Sequence, residues 1–419
     1  MDNSVNKRVL VISNNVFSTQ SNNGKTLSSL FRRVSVDNLA QLFFSSERPE
    51  KDLAYSYYRI SDADVVRFFF SKEAKVGGCL RYEPAEGNRK GDKNIDLGSL
   101  KNYEVARLAR EFFWQAAPWN NKELETWTQG FSPEIIFFCA GDSLFAYEIF
   151  QKVAKLAPDA KRVVYVTDDY ILPRLKASPF WWFRRWLVVR AMRKTVADAH
   201  VFVTISKEMR TEYLKRLGKD SINVFNIPEN LKIESFVKTP REDLILIYAG
   251  GLHFNRWKVL RKLGLALRKF NVVNGRSVKL KIFSQKCSER IINHMQIAGA
   301  SEFCGALDAP GLRFELNDAD VLVHVESFSR NCIESTRLSI STKLAEYVNI
   351  GSNILAVGPG KVSSMRFLQG RATCITSLSN MDNELAVFLV NPEKGSVNTD
   401  KADLENLRAD FERAVFANS

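Results

Sequence analysis

Residues 320–359 read DVLVHVESFSRNCIESTRLSISTKLAEYVNIGSNILAVGP. An apolar run, Val321–Val325, ends at Glu326, and a polar loop follows. Ser339-Ile340-Ser341-Thr342 then opens a helix over 342–350, and a second apolar run over 353–357 leads to Gly358-Pro359. Short continuous apolar runs bounded by turn residues predict strands buried on both faces. A strand, a helix and another strand in succession predict a parallel pair joined by a crossover helix.

The same alternation extends outward over the whole chain. Towards the N-terminus, strands are predicted at Lys7–Ser13, Asn38–Ser46, Glu134–Ala140, Arg162–Thr167, His200–Ile205 and Leu244–Ala249. More follow at about 278–283, 320–325, 353–357 and 372–376. Helices fill the gaps at Gly24–Arg33, 99–116, 120–129, Ser206–Leu217, 256–270, 287–298 and 379–390, and another starts at Ser178-Pro179, with Ser as N-cap and Pro in the first turn. Residues 74–98, rich in Gly and charge, read as a loop, and a polar stretch near 230–242 reads as a domain boundary. The expectation is an α/β chain of two doubly wound domains, residues 1–235 and 243–395, with a final helix within 400–419. Ligands of such sheets bind beyond the carboxyl ends of the strands, so two facing sheets put the active crevice between the domains.

Within 320–359, Leu344, Tyr347 and Val348 share a core-facing side, while Lys343 and Glu346 lie three apart on another. A helix that opens with Ser341 and Thr342 offers N–H groups and hydroxyls to an anion. Lys343 in the first turn opposes the helix dipole unless an anionic ligand sits there. Glu346, one turn deeper, can accept hydrogen bonds from a ribose diol. Phosphate clamp and diol acceptor together suit a nucleotide diphosphate; the plain alternative is an ordinary N-cap with a surface Lys–Glu pair. In IYAGGLHFNRWKVL (247–260), Gly250 and Gly251 at a strand end let the backbone approach a ligand, and Arg256 and Lys258 can neutralise a diphosphate.

Three further segments have weaker signals. VISNNVFSTQSNNGKT (11–26) resembles a phosphate-binding GxxxxGK[ST] loop but has Thr19 where the first Gly belongs, so that loop is rejected. Gly24 and Lys25, at a helix start, can still meet a sugar or phosphate. In VVYVTDDY (163–170), Asp168 and Asp169 end a buried strand, where they can act as base or orient a hydroxyl, or simply cap a helix. The DxD-like pairs Asp62/Asp64 and Asp318/Asp320 begin apolar runs instead of ending strands. The four His residues form no HExxH pair and the six Cys form no CxxC, so neither a metal site nor a disulfide framework is expected.

Composition sets the broad class. The 419 residues allow two or three domains at roughly 150 each. With 45% hydrophobic and 26% charged residues the balance is that of a globular protein. The only apolar stretch near the start, Val9–Ile12, falls short of the roughly seven residues of a secretory core segment, and no run approaches the roughly 18 needed to span a bilayer, so a cytoplasmic chain is expected. The net charge of +13 is concentrated. Between Tyr170 and Ala197 there is no acid, while Arg174, Lys176, Arg184, Arg185, Arg190, Arg193 and Lys194 mix with Phe180, Trp181, Trp182, Phe183 and Trp186. Residues 174–194 therefore suit an anionic membrane surface, which would make the chain peripheral on the inner face of the cytoplasmic membrane. Nucleic acid is not expected, since no nucleic-acid-binding signature accompanies the patch.

Taken in order, SNN…NGKT, the DD pair after a central strand, YAGGL…RWK, and STKLAEY…G…ILAVGP resemble the GT-B glycosyltransferases, most closely the family 4-like (group 1) enzymes of bacterial polysaccharide assembly. The resemblance covers nearly the whole chain and is strongest over 244–260 and 320–359. It implies two Rossmann-like domains facing across a cleft, and a UDP- or GDP-sugar donor held mainly by the C-terminal one. It also implies a saccharide or lipid-linked saccharide acceptor, no cofactor, no essential metal, hexosyl transfer with retention, and a C-terminal helix returning to the first domain. By resemblance Arg256 and Lys258 hold the diphosphate, Ser341, Thr342 and Lys343 cap it, and Glu346 binds the ribose. The family's first motif Glu would stand at 338, where this chain has Leu338. Its contact with the donor sugar then falls to Glu326, to Glu334 or to backbone. Two alternatives stay open: a GT-B nucleotide-sugar epimerase, and a non-catalytic subunit that binds glycan or membrane.

Overall fold

The computed structural model describes residues 5–19, 22–50, 53–80, 104–225, 241–285, 287–392 and 401–417. The chain divides into two compact units. The first takes the residues up to Phe225 together with those from Leu407 onward, and the second takes those between. Each is built on one sheet.

In the first unit the strands are β1 (Val9–Ser13), β2 (Leu39–Phe43), β3 (Ser56–Arg59), β4 (Gly78–Leu80), β5 (Ile135–Ala140), β6 (Lys161–Val166), β7 (Val201–Thr204) and β8 (Ile222–Asn223). Their order across the sheet is β4-β3-β2-β1-β5-β6-β7-β8. All neighbours pair in parallel except β4, which runs antiparallel on the edge beside β3. The connecting helices are α1 (Asn22–Leu30), α2 (Asp62–Phe70), α3 (Glu104–Ala116), α4 (Lys122–Phe131), α5 (Leu144–Leu156), α6 (Pro179–Asp198) and α7 (Lys207–Leu217). Every residue of β1 and β2 is buried, as parallel strands covered by helices on both faces require. Local chemistry sets several helix ends: Ser61 and Asp64 form a reciprocal capping box on α2, Asn121 caps α4, and Ser206 caps α7, which stops at the left-handed Gly218.

In the second unit β9 (Leu244–Ala249), β10 (Val278–Phe283), β11 (Ser301–Gly305), β12 (Val321–Val325), β13 (Asn353–Val357) and β14 (Thr373–Ile375) form an all-parallel sheet in the order β11-β10-β9-β12-β13-β14. Its helices are α8 (Arg256–Asn274), α9 (Glu289–Met295), α10 (Ala309–Asp318), α11 (Arg330–Thr336), α12 (Lys343–Ile350), α13 (Ser363–Leu368) and α14 (Met381–Val390). A last helix, α15 (Lys401–Phe416), packs on the first unit through Phe411, whose ring lies edge-on to Phe31 and Phe137, and through an ion pair of Glu412 with Arg33 at 2.8 Å.

The alternation predicted from sequence is present, with more elements than expected. β3, β8, β11, α2, α10 and α13 were not predicted. The polar loop expected after Glu326 contains α11, and the start of the loop expected at 74–98 holds β4. Residues 81–103 and 226–240, where the rest of that loop and most of the domain boundary were expected, lie outside the described residues. Strand order reverses between β1 and β5 in the first sheet and between β9 and β12 in the second. Helices leave for opposite faces at such a point, so a crevice opens beyond the strand ends.

Candidate functional site

In the second unit that point collects several of the predicted residues. β9 ends at Ala249 and runs into Gly250-Gly251, while the adjoining β12 ends at Val325 and runs into Glu326. A side chain on Gly250 would meet the Tyr248 hydroxyl at 2.8 Å, and that hydroxyl donates to the Gly251 carbonyl at 2.7 Å. Phe254 and Asn255 both take left-handed backbone angles, φ 57° and 58°, and turn the chain sharply into α8. For a bulky Phe this is an outlier, of the kind that clusters at functional sites.

That turn delivers Arg256 onto Glu326. One guanidinium nitrogen, Nη2, donates to both carboxylate oxygens at 3.1 Å. Glu326 is 2% exposed, and His324 Nε2 lies 3.3 Å from its Oε1. Burial works to raise the Glu326 carboxyl, but His324 and the charge of Arg256 outweigh it and hold the group below the ordinary carboxylate value. Burial likewise opposes the Arg256 cation, and Glu326 more than restores it. Arg256 Nε is buried without a hydrogen-bond partner.

α12 is tied to the same strand end. The Tyr347 hydroxyl accepts from the Ala249 amide at 3.2 Å, fixing the helix against the end of β9. The Ser341 amide donates to Ser364 Oγ, joining the entry of α12 to the opening of α13. Ser341, Thr342, Lys343 and Glu346 are all half-buried on the first turn or just before it. Lys258 does not join this group: it is exposed, and its ammonium lies 5.5 Å from the centre of the Trp257 ring. Leu338 is buried, and Glu334 pairs with Arg330 at 3.6 Å.

The remaining predicted residues belong to the first unit. Gly24 sits in α1, where the 16–18 segment passes so close that a side chain would meet the Val16 carbonyl and Ser18 Cβ; Lys25 follows it, half-buried. Thr19, at the position where a phosphate-binding loop needs Gly, donates its amide and hydroxyl to Glu50, so a carboxylate of the chain occupies that loop. Asp169 departs from the role predicted for it. It is 2% exposed, and its Oδ1 accepts from the Ile171 and Leu172 amides, which makes it the organiser of its own turn. Asp168 is half-buried beside it and accepts from the Asp169 amide.

Sequence reasoning missed the residues that hold this arrangement together. Tyr347 was assigned only to the core, yet its hydroxyl is what binds α12 to β9. Gln and Glu partners of the β1–α1 loop lie 24 to 32 residues away and leave no local pattern. Among the described residues no three His, Cys, Asp or Glu side chains cluster to hold a metal ion, and no helix is long and apolar enough to cross a membrane.

No family model matches the chain, and no curated protein sequence does. Solved structures match over nearly its full length. Sucrose-phosphate synthase from Thermosynechococcus elongatus is 12% identical with a TM-score of 0.59, over 98% of this chain and 96% of that one. The apo structure of OtsA is 10% identical with a TM-score of 0.51, over 98% and 95%. A mutant of S. aureus TarM in complex with fondaparinux, α-GlcNAc-glycerol and UDP is 10% identical with a TM-score of 0.56, over 98% and 100%. At such identities the likeness is one of fold, and the fold is GT-B, with two Rossmann-like units each built on a sheet that is parallel but for the edge strand β4.

Proposed function

We propose that this GT-B chain transfers a sugar from a UDP- or GDP-sugar to a saccharide acceptor, carried on a lipid at the cytoplasmic face of a membrane. The observation that carries the reading is the Arg256–Glu326 pair at the ends of β9 and β12. There the half-buried Arg256 guanidinium, with an unpartnered Nε–H, is held on Glu326, and Tyr347 ties α12 to the end of β9 at the switch point of the sheet. Residues 243–395 form the donor-binding domain in this reading, 1–235 the acceptor-side domain, and the helix within 400–419 completes the latter. Arg256, held in place by Glu326, and Ser341, Thr342 and Lys343 hold the diphosphate. Gly250 and Gly251 let it approach the backbone, and Glu346 takes the ribose.

Negative charge develops on the departing diphosphate, so cations and N–H groups fixed there act on the transition state more than on the ground state. Asp168 orients the acceptor hydroxyl. Following the family resemblance, transfer retains anomeric configuration and needs no metal. The exposed Trp182, Phe183 and Trp186 of α6, with Arg190, Arg193 and Lys194 beyond them, support contact with an anionic bilayer.

A screen of thermal stability against UDP, GDP and their sugars tests the donor. A ligand that binds only the native state raises the melting point, and saturation near 100 times Kd stabilises by about 2.7 kcal/mol. A rise with one nucleotide and none with its neutral nucleoside is expected; no rise with any of them sinks the proposal. Leu338 at the first motif position favours a second reading, a binding subunit without transfer. Donor binding with neither transfer nor hydrolysis would select it.

A further inference from the structure

α6 carries two adjacent arginines with opposite circumstances. Arg184 is buried and compensated: it reaches the Asp142 carboxylate at 3.4 Å and the Glu111 carboxylate at 3.8 Å, and also donates to the Asp142 carbonyl. Arg185 has no such company. Its Nη1 donates to the Tyr170 carbonyl at 3.1 Å, its guanidinium lies 4.9 Å from the centre of the Trp181 ring, and its Nη2 is buried without a partner. Arg174 reaches the same turn from the other side. Its Nη2 donates to the Asp169 carbonyl at 2.7 Å, and its Nε is also buried without a partner. Among the described residues, no carboxylate lies within ion-pair distance of either. The nearby Asp169 commits Oδ1 to the backbone amides of its own turn.

Two guanidinium groups thus rest on consecutive carbonyls, each with an unspent N–H. Burial pushes the Arg185 cation down to about 10; Asp169 opposes this, and Arg174 adds to it. Part-buried cations with no carboxylate in contact are costly, and a charge-assisted fork is the usual receptor for phosphate oxygens. The amino end of α6 has no acid in its first turn, and Ser178 makes no side-chain cap there. Arg185 stands in the second turn, and helical side chains lean back towards the amino end. Beside this turn the surface is apolar: Leu175, Phe180, Trp182, Phe183 and Trp186 are all exposed. An anion that suits this place carries a greasy group with it.

We infer that Arg174 and Arg185 bind the phosphate or diphosphate of a lipid-linked acceptor. The assignment to an acceptor rests on the transferase reading above; the anion site does not.

The test uses the full chain with geranylgeranyl diphosphate, geranylgeraniol, inorganic pyrophosphate and phosphatidylglycerol vesicles, binding being followed by calorimetry. Geranylgeranyl diphosphate should saturate a single site, geranylgeraniol should bind far more weakly, and pyrophosphate should compete. Arg174→Gln and Arg185→Gln should each weaken the diphosphate by roughly tenfold or more, and Lys215→Gln should leave it unchanged. Folded glutamine variants that bind like the wild type overturn the inference. Failure of pyrophosphate to compete on the wild-type chain does so without any variant. A loss seen with the vesicles and not with the prenyl diphosphate assigns the arginines to bilayer headgroups and overturns the acceptor assignment. Binding of UDP or GDP is measured in parallel: a wild type that takes the prenyl diphosphate but neither nucleotide loses the transferase reading and keeps this site.

Discussion

Arg256 and Glu326 are 70 residues apart in sequence and form a buried pair whose partners depend on each other. Arg256→Met leaves a carboxylate that is 2% exposed with only His324 beside it, and should cost roughly 3 kcal/mol in urea unfolding. Adding Glu326→Gln should recover much of that, because the stranded charge is then gone. The folded carboxyl lies below its unfolded value, so its contribution is present above the unfolded pKa and fades as pH falls through the folded one. Stability of the wild type should therefore drop between pH 5 and the acid side of pH 4, and Glu326→Gln should drop less over that window. At the first turn of α12, Lys343→Ala should slow sugar transfer by about 100-fold or more with an unchanged melting point, since its charge acts on the departing diphosphate. Transfer at the wild-type rate would remove Lys343 from the proposed clamp. The residue types were legible from sequence in both cases. That Arg256 pairs with Glu326 was not, because nothing local couples position 256 to 326.

At the scale of elements, α6 and the β1–α1 connection are informative. Read as a wheel, α6 shows basic residues scattered on every side. In the folded chain Trp181, Arg184, Val188, Met192, Thr195 and Val196 turn inward, and an aromatic-then-basic stripe is left outside. A double change, Trp182→Ser with Trp186→Ser, should abolish most sedimentation with phosphatidylglycerol vesicles while leaving nucleotide binding intact. The remaining binding should weaken with salt, as interactions screened over about 10 Å do at 0.1 M. Equal sedimentation of variant and wild type removes the bilayer from the proposal. In the β1–α1 connection, Gly24 is required by close approach: Ser18 Cβ would lie 2.9 Å from an added side chain, and the Val16 carbonyl closer still. Gly24→Ala should shift the 16–18 segment and lower the melting point by several degrees. A thermal melt of the variant checks it. The sequence pattern had singled out this loop for its likeness to a phosphate nest. The fold puts Glu50 there instead, with Ser18 and Thr19 holding the carboxyl below its ordinary value against the opposing effect of burial.

At the scale of the whole molecule, α15 from Leu407 onward belongs to the first unit although the second precedes it in the chain. Phe411 is 1% exposed against Phe31 and Phe137, so Phe411→Ala should cost roughly 3 kcal/mol. Hydrogen exchange should place the loss in α1 and β5 and spare the second sheet; a loss spread over β9–β14 would contradict the assignment. The sequence by itself determined the alternation of strand and helix, because a strand buried on both faces must be apolar throughout and a crossover helix must separate it from the next. It also determined which strand ends carry Gly, Ser, Lys and Glu, since those types punctuate the pattern where chains turn. Only the tertiary structure decided the order of strands, and with it that β9 and β12 adjoin, so that Arg256 reaches Glu326. Strand order is set by packing between segments tens of residues apart, and no local period records it. Several of the elements left unpredicted, β3, β4, β11 and α11, are short or lie at a sheet edge. Their few residues bury too little surface to impose a pattern, and their neighbours hold them in place.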